Sequence, residues 1–212
     1  MGAVLRIYTY IVATDAGFAP NPFYGFCTLA CCKPAIRRSA SPDDWLVGIT
    51  PARRGPRAIV YAMQVEEVLP FSAYWADRRF ERKKPKRKSA AVVERCGDNC
   101  LAPIRGGGFR QVHCAHSRED GSEDPAQAAH DLGGRNVLVS RAFTYFGQDA
   151  MTIPDSLVDF MVPGRGHKVN FTVAQTQALL RFLVQLPRGI RGPPSVWPAV
   201  DESWKEGRLR CG

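Results

Sequence analysis

Ala58-Ile59-Val60-Tyr61-Ala62-Met63-Gln64-Val65-Glu66-Glu67-Val68 is the stretch that sets the fold class. Ile59, Tyr61, Met63 and Val65 alternate with Val60, Ala62, Gln64 and Glu66, the period of two expected of a β-strand with one buried face. Upstream, Trp45-Leu46-Val47-Gly48-Ile49 is a short apolar strand entered from Asp43-Asp44, and Thr50 to Arg57 is a polar turn. Val4 to Ala13 is dense in β-branched and aromatic residues and reads as the first strand. Downstream, Ser72 is placed as the N-cap of a short helix through Arg79, and Asn136–Ser140 and Ala142–Phe146 are further strands. Thr172-Val173-Ala174-Gln175 fits a capping box, followed by the apolar stripe Leu179, Phe182, Leu183 and Leu186 of an amphipathic helix that Pro187 and Gly189 end. Several short strands, few helices and long loops give an α+β fold: a small bent sheet or barrel with decorated loops and a C-terminal amphipathic helix.

The 212 residues are read as one domain, 1–212, with a basic and cysteine-containing excursion at about 78–135 and an extended tail from about 188. Ser117 to Arg135 reads as a polar surface loop holding one helical turn, and Gly106-Gly107-Gly108 as a flexible turn. No strand, GxGxxG and helix follow one another and there is no GxxxxGK[ST], which removes the dinucleotide and P-loop readings. No apolar run approaches the roughly 18 residues of a membrane span, and the N-terminus has no basic-then-apolar signal, so a cytoplasmic location without membrane attachment is the expectation. The net charge of +9 is concentrated: Arg78 to Lys88 holds eight basic residues and one acid, leaving +2 for the remainder. A patch of that kind points to an anionic partner, nucleic acid or a nucleotide.

Between the first two strands lies Gly17-Phe18-Ala19-Pro20-Asn21-Pro22-Phe23, followed by Cys27-Thr28-Leu29-Ala30-Cys31-Cys32-Lys33-Pro34-Ala35-Ile36-Arg37. Prolines 20, 22 and 34 remove backbone donors and fix φ, so this is an ordered, irregular path that presents Asn21, Lys33 and Arg37. These residues resemble the second nucleotide-modification-associated domain family. The likeness rests on Phe18 to Phe23, Cys27 to Ala30, Lys33-Pro34 with Ile36-Arg37, and Asp44-Trp45 with Gly48. Tyr61-Ala62-Met63, Gly97-Asp98-Asn99, Ser140 with Tyr145-Phe146-Gly147, and Gly166-His167-Lys168 extend it over about residues 5 to 197. It implies association with phage and bacterial systems that alter DNA bases, and partner proteins of such systems; it supplies no catalytic mechanism. The first half also resembles PUA-like modules of the EVE and ASCH type, small barrels that hold nucleic acid or a modified base, through Arg37-Arg38, Asp44-Trp45 and the strand from Val60 into Glu66-Glu67.

The leading expectation is a domain that binds a modified or flipped base or its nucleotide. Asn21, an amide fixed between prolines, pairs with a base edge, with Phe23 and Trp45 as stacking partners. Lys33, Arg37, Arg78, Lys83, Lys84, Lys86, Arg87, Lys88 and Lys168 bind phosphate. The alternative is an enzyme of base or nucleotide modification using Asn21, Asp98, His113, His116 and His167 for acid–base chemistry, and enzyme status stays open between the two. Cys96, Cys100, His113 and His116 are the zinc-type ligand set, but their spacing departs from the common pattern, so ordinary thiols and no cofactor are the preferred reading. Cys27, Cys31 and Cys32, beside Lys33 and Arg37, are read first as packed thiols, with a thiolate nucleophile as the minority reading.

Overall fold

In a computed structural model, residues 5–164 and 166–198 are described, so the last part of the expected tail lies outside the described residues. The strands are β1 Ile7–Ile11, β2 Cys27–Leu29, β3 Trp45–Ile49, β4 Ala58–Gln64, β5 Glu67–Pro70, β6 Leu101–Pro103, β7 Phe109–Gln111, β8 Asn136–Ser140, β9 Phe143–Tyr145, β10 Met151–Thr152, β11 His167–Lys168 and β12 Gly189–Ile190. The helices are α1 Pro34–Ser39, α2 Phe71–Ala76, α3 Val92–Arg95, α4 Pro125–Leu132, α5 Asp155–Met161 and α6 Val173–Leu183.

The fold is α+β. A seven-stranded sheet runs β11-β1-β3-β4-β9-β12 with β10 also on β4; β2-β8-β5 form a second sheet and β6-β7 a hairpin. Both larger sheets are open and no barrel closes among the described residues, which corrects the barrel alternative. β4 is central, and six of its seven residues are buried, so both faces are covered instead of the single face expected. Gly48 pairs with Tyr61 and Ile49 with Ile59, so Val60 is an inserted residue, and Val60 and Tyr61 turn to the same side. The expected long strand also divides: after Val65 and Glu66 the chain enters the second sheet as β5 on β8. Alternation within 58–68 does not encode that change, because partner strands decide it.

Side-chain alternation sorts the core into layers. Tyr8, Tyr10, Leu46, Tyr61 and Met63 face Cys27, Leu29 and Leu138 of the small sheet, with Ile36 of α1 between. Ile7, Trp45, Val47 and Ile59 point the other way, onto Leu157 and Met161 of α5 and Leu179 and Leu183 of α6. On the far side of the small sheet, Val137 and Val139 pack against Phe71, Tyr74, Phe80, Cys100, Leu101 and Cys114. The segment read as an excursion therefore packs back through its own apolar residues. α6 carries the expected capping box: Gln175 N donates to Thr172 Oγ1 and Thr172 N to Gln175 Oε1. α2 starts one residue before Ser72, after Pro70 and without a side-chain cap, and the chain turns into a short 3-10 stretch over Arg78–Lys83 capped by Asp77. Gly106 to Gly108, all at positive φ, form the tip of the β6–β7 hairpin.

Candidate functional site

The proline-punctuated block turns inward. Asn21 is fully buried; its Nδ2 donates to the Gly17 and Cys96 carbonyls, and its Oδ1 accepts from Lys83 Nζ at 2.6 Å. Lys83, also fully buried, donates further to the Asn21 and Phe26 carbonyls. Thr28, bridged to Asn21 through the backbone, leads to Asp98, which accepts from Thr28 Oγ1 and Tyr74 OH, each at 2.7 Å. Burial pushes Lys83 down to about 8, with Asp98 opposing, and pushes the Asp98 carboxyl up, with Lys83 and the two hydroxyl donors opposing. Trp45 lies in the core beneath α5 and α6, and Phe23 is buried under a stacked Trp197. The base-reading set of Asn21, Phe23 and Trp45 thus has no exposed edge through which to act, because the rigid turn satisfies the amide internally.

Arg37, expected on phosphate, is likewise fully buried. Its Nε donates to Cys32 O at 2.7 Å, one terminal nitrogen to Asn136 O at 2.8 Å and the other to Asp131 O at 2.5 Å. This guanidinium clamps α1, α4 and β8 together. The turn it holds is unusual: Cys32 and Lys33 adopt φ of 61° and 40°, two successive non-glycine residues in the left-handed region. Cys32 N donates to Asp131 Oδ1 at 2.7 Å, while Asp131 Oδ2 lies 2.6 Å from His116 Nδ1. Cys32 Sγ lies 3.6 Å from His116 Nε2, on the opposite edge of the ring. Burial lowers the affinity of His116 for its second proton, but the Asp131 carboxylate more than reverses this, and the imidazole is shifted upward. Burial is the largest influence and acts to raise Asp131, but the His116 hydrogen bond and charge, the Cys32 N–H and Arg37 together outweigh it, and the carboxyl is shifted downward.

Cys31, His116 and Asp131 offer metal-type donors within 4.8 Å of one another. Both oxygens of Asp131 are already engaged, one by Cys32 N and one by His116, so the set reads as an oriented imidazole before it reads as a metal cage. The zinc-type set named from the sequence is not brought together among the described residues: Cys96 Sγ bonds Val92 O, Cys100 Sγ bonds Gly97 O, His113 lines an open cavity, and His116 is buried beside Cys31 and Asp131. Five cysteines, 27, 31, 96, 100 and 114, are free and buried, whereas Cys32 is disulfide-bonded, a correction to the all-thiol expectation.

The basic run splits. Lys83 is interior; Arg79 pairs with Glu67 and Asp77, and Lys84 with Glu81. Arg78 is exposed. Lys86, Arg87, Lys88, Ser89, Glu94 and His113 line an open cavity of about 490 Å³. Ser89 and Lys86 both bond Glu94, the one acid there among the described residues, and hold its carboxyl low. Partial burial, then Arg87 and Lys88, lower His113. At the β11 edge of the large sheet, His167 lies against the Tyr8 ring at 5.8 Å and Lys168 over Phe171, while Lys33 lies over the Tyr10 ring at 5.1 Å. The histidine and aspartate candidates therefore occupy separate places instead of one pocket, whereas cations share a cavity.

Comparison with known proteins fits this chain to the family model described as nucleotide modification associated domain 2, over residues 4–201. The chain belongs to that family. No curated protein and no solved structure matches it. In this nucleotide-modification-associated domain, no helix among the described residues is long and apolar enough to cross a membrane. The sequence reading missed Asp131, the partner of His116, because residues 117–135 read as a loop. The signal was present: Asp124 caps α4 by accepting from Ala126 and Gln127 N–H, and Pro125 sits at the first helical position.

Proposed function

We propose that this nucleotide-modification domain binds nucleic-acid phosphates, DNA in the first instance, at the cavity lined by Lys86, Arg87, Lys88, Ser89 and His113. The observation that carries the reading is that cavity: three cations, a hydroxyl and an imidazole around one open space, with a single acid among the described residues. A modified or flipped base is held beside it, on the half-buried rings of Tyr24 and Trp75, which carry Arg82 at 4.1 Å and Lys84 at 4.4 Å. These two rings take the stacking role first given to Phe23 and Trp45. The expected result is binding of short DNA with log affinity falling linearly with log salt. The double substitution Lys86→Glu and Lys88→Glu makes that slope shallower by about two, about one per lysine. Anisotropy titrations across a salt series measure both; no affinity at low salt, or an unchanged slope, rejects the proposal.

A second reading, an enzyme acting on a base or nucleotide, is favoured by one observation: the His116–Asp131 pair set against Cys32.

A further inference from the structure

We propose that Cys32, once reduced, is a nucleophile that takes an acyl group onto its sulfur, with His116 as general base and acid and Asp131 as the positioning residue. The inference rests on the enzyme reading and is independent of DNA binding. Three observations carry it. His116 is hydrogen-bonded to Asp131 through Nδ1 at 2.6 Å, which fixes the tautomer whose Nε2 accepts a proton, and Nε2 is the atom facing Cys32 Sγ at 3.6 Å. The same carboxylate holds the peptide of Cys32 through its N–H, and Arg37 holds that residue's carbonyl, so sulfur and imidazole are referred to one rigid frame. The two left-handed residues at Cys32 and Lys33 lift that side chain out of the interior: Cys32 is half-buried, whereas the five free cysteines are all buried.

Among those five, burial pushes Cys31 and Cys96 up to about 12 and Cys27 and Cys100 well above the ordinary thiol value, which leaves them inert. Cys114 differs: burial would raise it, but the hydrogen bond from Cys100 and the His116 charge lower it, while its side chain stays enclosed.

The chemistry balances in two steps. A dithiol first opens the disulfide at Cys32; it leaves as its own cyclic disulfide, and the protein recovers two thiols. The Cys32 thiol then passes its proton to His116 Nε2 while sulfur forms a bond to the carbonyl carbon of an ester or amide donor. The bond from that carbon to its oxygen or nitrogen leaving group breaks, and the leaving group departs with the proton that His116 returns. The products are a thioester at Cys32 and a neutral alcohol or amine. An imidazole held by a carboxylate is needed for that last transfer, which is why an acyl donor is favoured over a simple alkylating substrate.

The test uses the full chain, reduced with dithiothreitol, desalted and mixed with p-nitrophenyl acetate. The expected result is a burst of nitrophenolate with one acetyl group mapped by mass spectrometry to the peptide bearing Cys32, and no burst from the unreduced protein. His116→Ala lowers the acylation rate about a hundredfold. Asp131→Asn keeps the burst amplitude but moves the midpoint of the rate–pH profile. The wild-type iodoacetamide profile, which needs no variant to fold, has its midpoint below the ordinary thiol value of about 8.5. Acetyl distributed over other cysteines, a profile centred at the ordinary value, or a folded His116→Ala protein reacting as fast as wild type overturns the proposal. Titrating the same reduced protein with DNA separates this failure from a failure of phosphate binding.

Discussion

Arg37→Ala is expected to destabilise the protein by about 3–5 kcal/mol, the range for removing one partner from a buried charged contact. The guanidinium donates to three carbonyls, of Cys32, Asp131 and Asn136, and all are left without that donor when it goes. Gly134 leaves room for it: a Cβ there would run into the guanidinium of Arg37. Arg37→Lys restores little, because one ammonium cannot present a planar fork to three carbonyls on different segments. Urea denaturation measures the loss. A variant as stable as wild type with weakened DNA binding would instead return Arg37 to the phosphate role first expected of it.

Gly97→Ala comes next in expected effect, on the order of 3 kcal/mol as overpacking in a close-packed site. Its added methyl would lie 2.4 Å from Lys83 O, 2.7 Å from Pro85 N and 2.8 Å from Pro85 Cα, all backbone atoms that cannot rotate away. Asn99 N bonds the same Lys83 carbonyl at 3.0 Å, so pushing the two segments apart also strips a hydrogen bond and withdraws Lys83 Nζ from Asn21. Because residues 83–85 lead directly into the basic cavity, DNA affinity falls together with melting temperature. Gly164→Ala is the control, since nothing lies within 4 Å of the Cβ it would add. Equal melting temperatures for the two variants would show that the crossing of 83–85 over 96–98 is looser than described.

What was legible in the sequence was local. The capping box at Thr172, the β-branched density of β1 and the alternation of β4 each depend on neighbours a few residues away. What was not legible depended on distant partners. β5 separates from β4 because β8 is there to pair with it. Lys83 and Arg37 carry the same charge in the sequence as Lys86 and Lys88, and only tertiary contacts show that the first two are interior clamps and the last two exposed. The prolines around Asn21 mark a fixed turn, but rigidity does not say which way an amide points, and the Gly17, Cys96 and Lys83 partners that turn it inward lie in other segments or across the turn. His116 was named, while its role waited on Asp131, fifteen residues further on at the end of a helix the composition hid.

The central claim is that nucleic acid lies in the cavity over Lys86 and Lys88, and lysine-acetylation footprinting tests it most directly. The full chain is acetylated briefly with and without DNA at low salt, and each lysine is quantified by mass spectrometry. Protection of Lys86 and Lys88 with Lys168 unchanged is the predicted result. Protection of Lys168 alone, or of none of the three, would contradict it.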